Sequence, residues 1–147
     1  MKTITTLLFL IAVYTLIPIT LSAQGDSLSI KGVMILASND STSTDPSLKA
    51  YEKNLRRLFN FSSYKRYGSG NTRLSIPGKS TLSMGHGHQV EIDVKPINQQ
   101  KSRIGIRWVK NGKLQINTTM AMVRGKPAVL GGPSVKGGNL ILILTAH

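Results

Sequence analysis

Hydrophobic and polar positions along this chain predict one helix followed by a run of strands. Residues 7–21 (LLFLIAVYTLIPITL) are apolar and uncharged, behind a short start that carries Lys2. Residues 27–38 (SLSIKGVMILAS) turn continuously apolar over 33–37 and are rich in branched side chains, which predicts a buried first strand. The polar run 39–45 (NDSTSTD) is full of side chains that compete for backbone hydrogen bonds, so it reads as a loop. Asp45-Pro46 then opens a helix, because the carboxylate can cap free amides and proline is preset for the first helical position. Leu48, Tyr51, Leu55, Leu58 and Phe59 recur at helical spacing, while Lys49, Lys53, Arg56 and Arg57 face water. The helix is expected over 46–60.

Everything after it reads as strands and turns. Residues 68–71 (GSGN) and 77–79 (PGK) look like turns bounding a short strand over 73–76. Residues 89–95 alternate, with Val90, Ile92 and Val94 on one face and Glu91, Asp93 and Lys95 on the other, as in a half-buried strand. Segments 103–110 and 113–123 flank Asn111-Gly112, a strong hairpin signal. A two-residue loop would pair Trp108 with Gln115 and set core against solvent on both strands. A three-residue loop with a left-handed Gly112 in a bulge pairs Trp108 with Leu114, Ile106 with Ile116 and Ile104 with Thr118, so that loop is expected. Residues 124–127 turn into a short strand over 128–130, which Gly131-Gly132-Pro133 ends. Residues 140–146 (LILILTA) are continuously apolar, as a central strand covered on both faces should be. The expected class is α+β: one N-terminal helix packed on a mostly antiparallel sheet or sandwich, with about six strands after the helix.

The apolar start changes where this domain is expected to work. A cation, an apolar middle and the small exit residues Ser22 and Ala23 make the three parts of a signal peptide. Fifteen apolar residues interrupted by Pro18 fall short of the roughly 20 that a spanning helix needs. The reading is a signal peptide over 1–23, cleaved after Ser22 or Ala23, and one domain over 24–147 in the periplasm or outside the cell; retention as an anchor is the alternative. The chain has no cysteine, so its core alone must hold the domain.

Charge narrows the choice of partner. Without Lys2 the chain holds 18 Lys and Arg against 6 Asp and Glu, a net charge of +12. The last acid is Asp93, and after it come Lys101, Arg103, Arg107, Lys110, Lys113, Arg124, Lys126 and Lys136 with no anion among them. A field of one sign favours anionic partners. Arg103, Arg107, Lys110, Lys113, Arg124 and Lys126, at or beside two expected hairpin turns, are the candidate contact set.

Other candidate chemistry is thinner. His86-Gly87-His88 could hold a metal, but zinc sites take three or four ligands and His147 is the one further histidine, so an exposed turn is the simpler account. Glu91 and Asp93 share a strand face and read as solvated charges beside cations. The serines lie outside any nucleophile elbow, and Gly131-Gly132 and Gly137-Gly138 open no helix, so neither cradles phosphate. Cations at Arg56-Arg57 and Lys65-Arg66 beside Phe59, Phe61, Tyr64 and Tyr67 could stack bases or sugars, although helical spacing puts Phe59 in the core. No catalytic set, cofactor, metal or specific nucleic acid is expected.

The C-terminal third carries a resemblance. Residues 117–132 (NTTMAMVRGKPAVLGG), with the apolar strand ending LILILTA, resemble the strand, G-x-x-x-x-L-G-G turn and closing strand of bacterial secretins. The mature chain also looks like small uncharacterised exported proteins of Gram-negative bacteria, with an early strand, a D-P-x-L helix ending L-R-x-x-F, and this tail. The resemblance implies a local β-hairpin and an envelope setting; a chain this short, without long amphipathic strands, does not carry pore formation over.

The function expected is therefore a non-enzymatic exported binding or accessory module whose basic face meets an anionic envelope component or a partner assembly, peripheral membrane contact included. The alternatives are a structural subunit that pairs through an apolar strand edge, and a hydrolase without a recognisable signature.

Overall fold

In the computed structural model, which describes residues 25–147, alternating apolar positions become eight strands: β1 (Ser27–Ser38), β2 (Ser63–Ser75), β3 (Gly78–Gly85), β4 (His88–Pro96), β5 (Lys101–Lys110), β6 (Lys113–Val123), β7 (Ala128–Val135) and β8 (Gly138–Ala146). The expected signal peptide over 1–23 lies outside the described residues. A 3-10 turn, Pro46–Leu48, and the helix α1, Lys49–Leu58, connect β1 to β2. The strands pair antiparallel into two sheets, β2-β1-β8-β7 and β3-β4-β5-β6.

The sheets face each other over one core. Leu28, Ile30 and Met34 of β1 and Leu140, Leu142 and Leu144 of β8 meet Val90, Ile92 and Val94 of β4 and Ile104, Ile106 and Trp108 of β5. On the other face of the first sheet, Val33, Ile35, Ile141 and Ile143 are covered by Leu48 and Leu55. This second layer is why β8 is apolar at every position from Leu140 to Leu144: it is buried on both faces. Asp45 accepts from the Ser47 amide at 2.8 Å and starts the helical segment. The Tyr64 hydroxyl, directed at the carbonyl of Phe59 3.0 Å away, ties its end to β2.

The α+β expectation is overturned. The chain is a β-sandwich, mostly strand, and its ten-residue helix is an accessory on one outer face. The error lies in residues 63–75, where loop-like composition hides a thirteen-residue strand. Residues 68–71 are not a turn. Gly68 and Gly70 sit mid-strand, where β2 crosses β3 so closely that a Cβ at Gly68 would stand 1.8 Å from the Met84 carbonyl oxygen. At Gly70 it would stand 2.5 Å from that of Ser83. Here glycine serves close backbone approach rather than a bend. Likewise Gly131-Gly132-Pro133 does not end β7: the strand runs on through a bulge, and a Cβ at Gly132 would meet the Trp108 ring at 2.4 Å. The helix is also shorter than 46–60, its first turn being 3-10 and its last residue Leu58.

The hairpin expectation fails instructively. Asn111 and Gly112 both take positive φ, 48° and 77°, making the tight two-residue turn, with Lys110 paired to Lys113 and Val109 to Leu114. The register then shifts by one, leaving Gln115 as the extra residue and setting Trp108 against Ile116, Ile106 against Thr118 and Ile104 against Met120. The Asn-Gly pair keeps its preferred turn, and a bulge two pairs into the ladder returns the apolar sets to one face.

Two glycines on strands should therefore respond unequally to alanine. Gly68→Ala forces β2 away from β3 and is expected to cost about 3 kcal/mol. Gly105, where an added Cβ would meet Asp93 at an ordinary 3.7 Å, should change stability by less than about 0.5 kcal/mol on the same substitution. Urea denaturation of both variants checks this.

Candidate functional site

Among the described residues no helix covers the outer face of the β3-β4-β5-β6 sheet, and its side chains follow from strand register. One row runs Thr81, Glu91, Arg107, Asn117; the next runs Lys79, Asp93, Gly105, Thr119. Here opposite charges face each other. Arg107 donates to the Glu91 carboxylate, and the Lys79 ammonium lies 3.7 Å from Asp93. Gly105 lacks a side chain, so the rows enclose an open depression of about 570 Å³.

Towards the strand ends the pattern reverses. Lys95 faces Arg103 across β4 and β5 on this face, and Lys110 faces Lys113 across β5 and β6 on the other side of the sheet, in phase with Trp108 and His88. Like charges directly opposite each other cost on the order of a few tenths of a kcal/mol. Arg124 and Lys126 occupy the turn after β6, joined to the Lys101 end of β5 where the Arg124 amide donates to the Gln100 carbonyl. The six cations expected to form one face are thus divided. Lys110 and Lys113 mark one end of β6, Arg124 and Lys126 the other with Arg103 nearby, and Arg107 is engaged by Glu91 midway. Lys95 belongs with Arg103; its outward phase on the alternating strand was the signal for it.

The histidines separate rather than converge. His86 and Gly87 take positive φ and make the β3–β4 turn, and the exposed His86 ring stacks on Tyr67 with centroids 4.3 Å apart. Tyr67 reaches it because β2 shifts register there, skipping Tyr67 in the ladder. His88 is not exposed, as a turn histidine would be: only 1% of it meets solvent. Its Nδ1 accepts from the Trp108 indole Nε1 at 3.1 Å, which places the ring proton on Nε2, where no described residue accepts it. Burial chiefly, then the charge of Lys110 and of His86, lowers its pKa. Among the described residues no three His, Asp or Glu side chains gather for a metal. The Trp108–His88 bond was not expected from sequence, where His88 had no apolar pattern of its own beyond its phase with Val90.

Phe59 and Tyr64 pack the helix layer and Tyr67 the inter-sheet core, so the aromatic set beside Arg56-Arg57 is internal packing, with the Arg56 guanidinium 5.6 Å over the Tyr64 ring. Comparisons with protein-family models, curated proteins and solved structures found no match to this chain.

The neutral His88 carries a pH signature. Unfolded, the imidazole takes a proton below its ordinary value of about 6.5; folded, it resists until lower pH. Stability should be full above pH about 6.5, decline as pH falls through that value, and level off once the folded imidazole is also charged. His88→Gln keeps an acceptor for Trp108 and cannot titrate there, so urea midpoints compared at successive pH values should lose this part of the slope.

Proposed function

We propose that this chain is an exported, non-enzymatic binding or accessory module whose basic β5–β6 side contacts an anionic partner in the bacterial envelope. The observation that carries the reading is the pair of like-charge juxtapositions, Lys95 opposite Arg103 and Lys110 opposite Lys113. Folding gains nothing from either, while anionic groups placed at each would relieve it. The acids are spent elsewhere: Glu91 and Asp93 pair mid-sheet and Glu52 accepts from Arg56 at 3.0 Å. Envelope location rests on the leader pattern and on the resemblance of the tail to exported proteins. A module rather than an enzyme fits the use of the polar groups, because His88 serves Trp108 and the strand carboxylates hold cations.

The mature domain should be retained on heparin and on phosphatidylglycerol vesicles at low salt and released steeply as salt rises. No retention at low salt would sink the reading. Lys113→Glu sharpens the test, since it places opposite charges across the ladder. It should raise stability by about 0.5 kcal/mol and weaken anion retention by about tenfold, two changes of opposite benefit from one substitution.

A further inference from the structure

A β-sandwich of two open sheets has four edge strands, and each exposes unpaired backbone groups that proteins usually blunt. Two of the four here blunt each other: β2 and β3 cross in close contact at Gly68 and Gly70, and the Thr72 and Ser80 hydroxyls hydrogen-bond across them. The third, β7, is interrupted by the bulge between Gly131 and Ser134 and contains Pro133. The fourth, β6, is different. It is eleven residues long, its one ladder among the described residues is with β5, and from Leu114 to Val123 it contains no charge and no proline.

Its side chains are suited to contact. Leu114 is 46% exposed, an unusual position for a large apolar side chain in this molecule. Ile116 and Met120 lie half-buried at the rim of the core. Cations stand where this uncharged stretch stops: Lys110 and Lys113 before it, Arg124 and Lys126 after it.

We propose that the free edge of β6 receives an extended acidic segment of a partner protein as a fifth strand of its sheet, with backbone pairing along the uncharged stretch and acidic residues meeting the cations at its two ends. The proposal rests on the anion-binding reading above and names both partner and mode. Strand addition supplies affinity through main-chain bonds and leaves specificity to alternate side chains and flanking charge. A second copy of this chain fits the edge poorly. Antiparallel pairing of two β6 strands brings the Lys110–Lys113 end of one copy against the Arg124–Lys126 end of the other. Acidic flanks on the incoming strand remove that conflict.

The test uses a synthetic peptide of about thirteen residues, long enough to span β6, with two glutamates at each end of an alternating valine–threonine centre. Two further versions carry N-methyl groups on the odd or on the even central residues, which block hydrogen bonding along one peptide edge and leave charge unchanged. Fluorescence anisotropy with the mature protein at low salt should show binding by the parent peptide, by one methylated version nearly as well, and by the other about tenfold or more weakly. Equal, salt-sensitive binding of all three overturns strand addition and leaves the anion reading standing. No peptide binding with heparin retention intact does the same, whereas loss of both removes both. A protein that is dimeric before peptide is added, with its β6 amides already protected from hydrogen exchange, overturns the proposal in favour of a second copy.

Discussion

The architecture depends on one close approach, the crossing of the β2 backbone over β3 at Gly68 and Gly70. A sandwich this small can bring its sheets together along one side when some pair of edge strands lacks intervening side chains, and two glycines at alternate positions provide that. The contact seals one side of the core and removes two strand edges from solvent. It also fixes where β2 must shift register, since the skipped residue, Tyr67, is the one that reaches the β3–β4 turn. The opposite side of the sandwich, between β6 and β7, stays half-open, and its rim is where apolar side chains remain partly exposed.

Trp108 is the second fixed point and spans the interior towards β7. Its ring lies against Gly132, and its indole nitrogen donates to His88. A buried imidazole is favoured here in the neutral form, because a second proton would compete for the nitrogen that accepts from Trp108 and would be desolvated beside Lys110. The same core residue thus accounts for the glycine at 132, a bulge at Gln115 and a histidine held uncharged.

These contacts mark how far the sequence could be read. Elements that bury side chains in a regular period were legible: β1, β4, β8, the capped helix and the presence of a β5–β6 hairpin. Elements whose logic is the absence of a side chain were not. Gly68, Gly70 and Gly132 look like turn signals because composition cannot distinguish freedom to bend from room for a neighbouring backbone, and misreading them turned a β-sandwich into an α+β fold. The hairpin register failed for a related reason. The face arithmetic at Trp108 was sound in demanding one extra residue, but turn chemistry at Asn111-Gly112 took precedence and moved that residue to Gln115. The candidate cations were legible as a set and not as an arrangement, since only cross-strand register reveals that Arg107 is compensated and that Lys110 and Lys113 oppose each other.

That arrangement bears on whether the charge serves the proposed recognition or solubility alone. A surplus of +13 kept only for solubility would be best spread over exposed edges, where lysine also blocks unwanted strand pairing. In this chain the edge most open to pairing carries no charge from Leu114 to Val123, and cations crowd at both its limits, at a small cost to the fold. Two ends roughly 30 Å apart, given the rise of an extended strand, cannot act on one small anion. They can act together on something long and extended, which is also what an unpaired β-strand is shaped to hold.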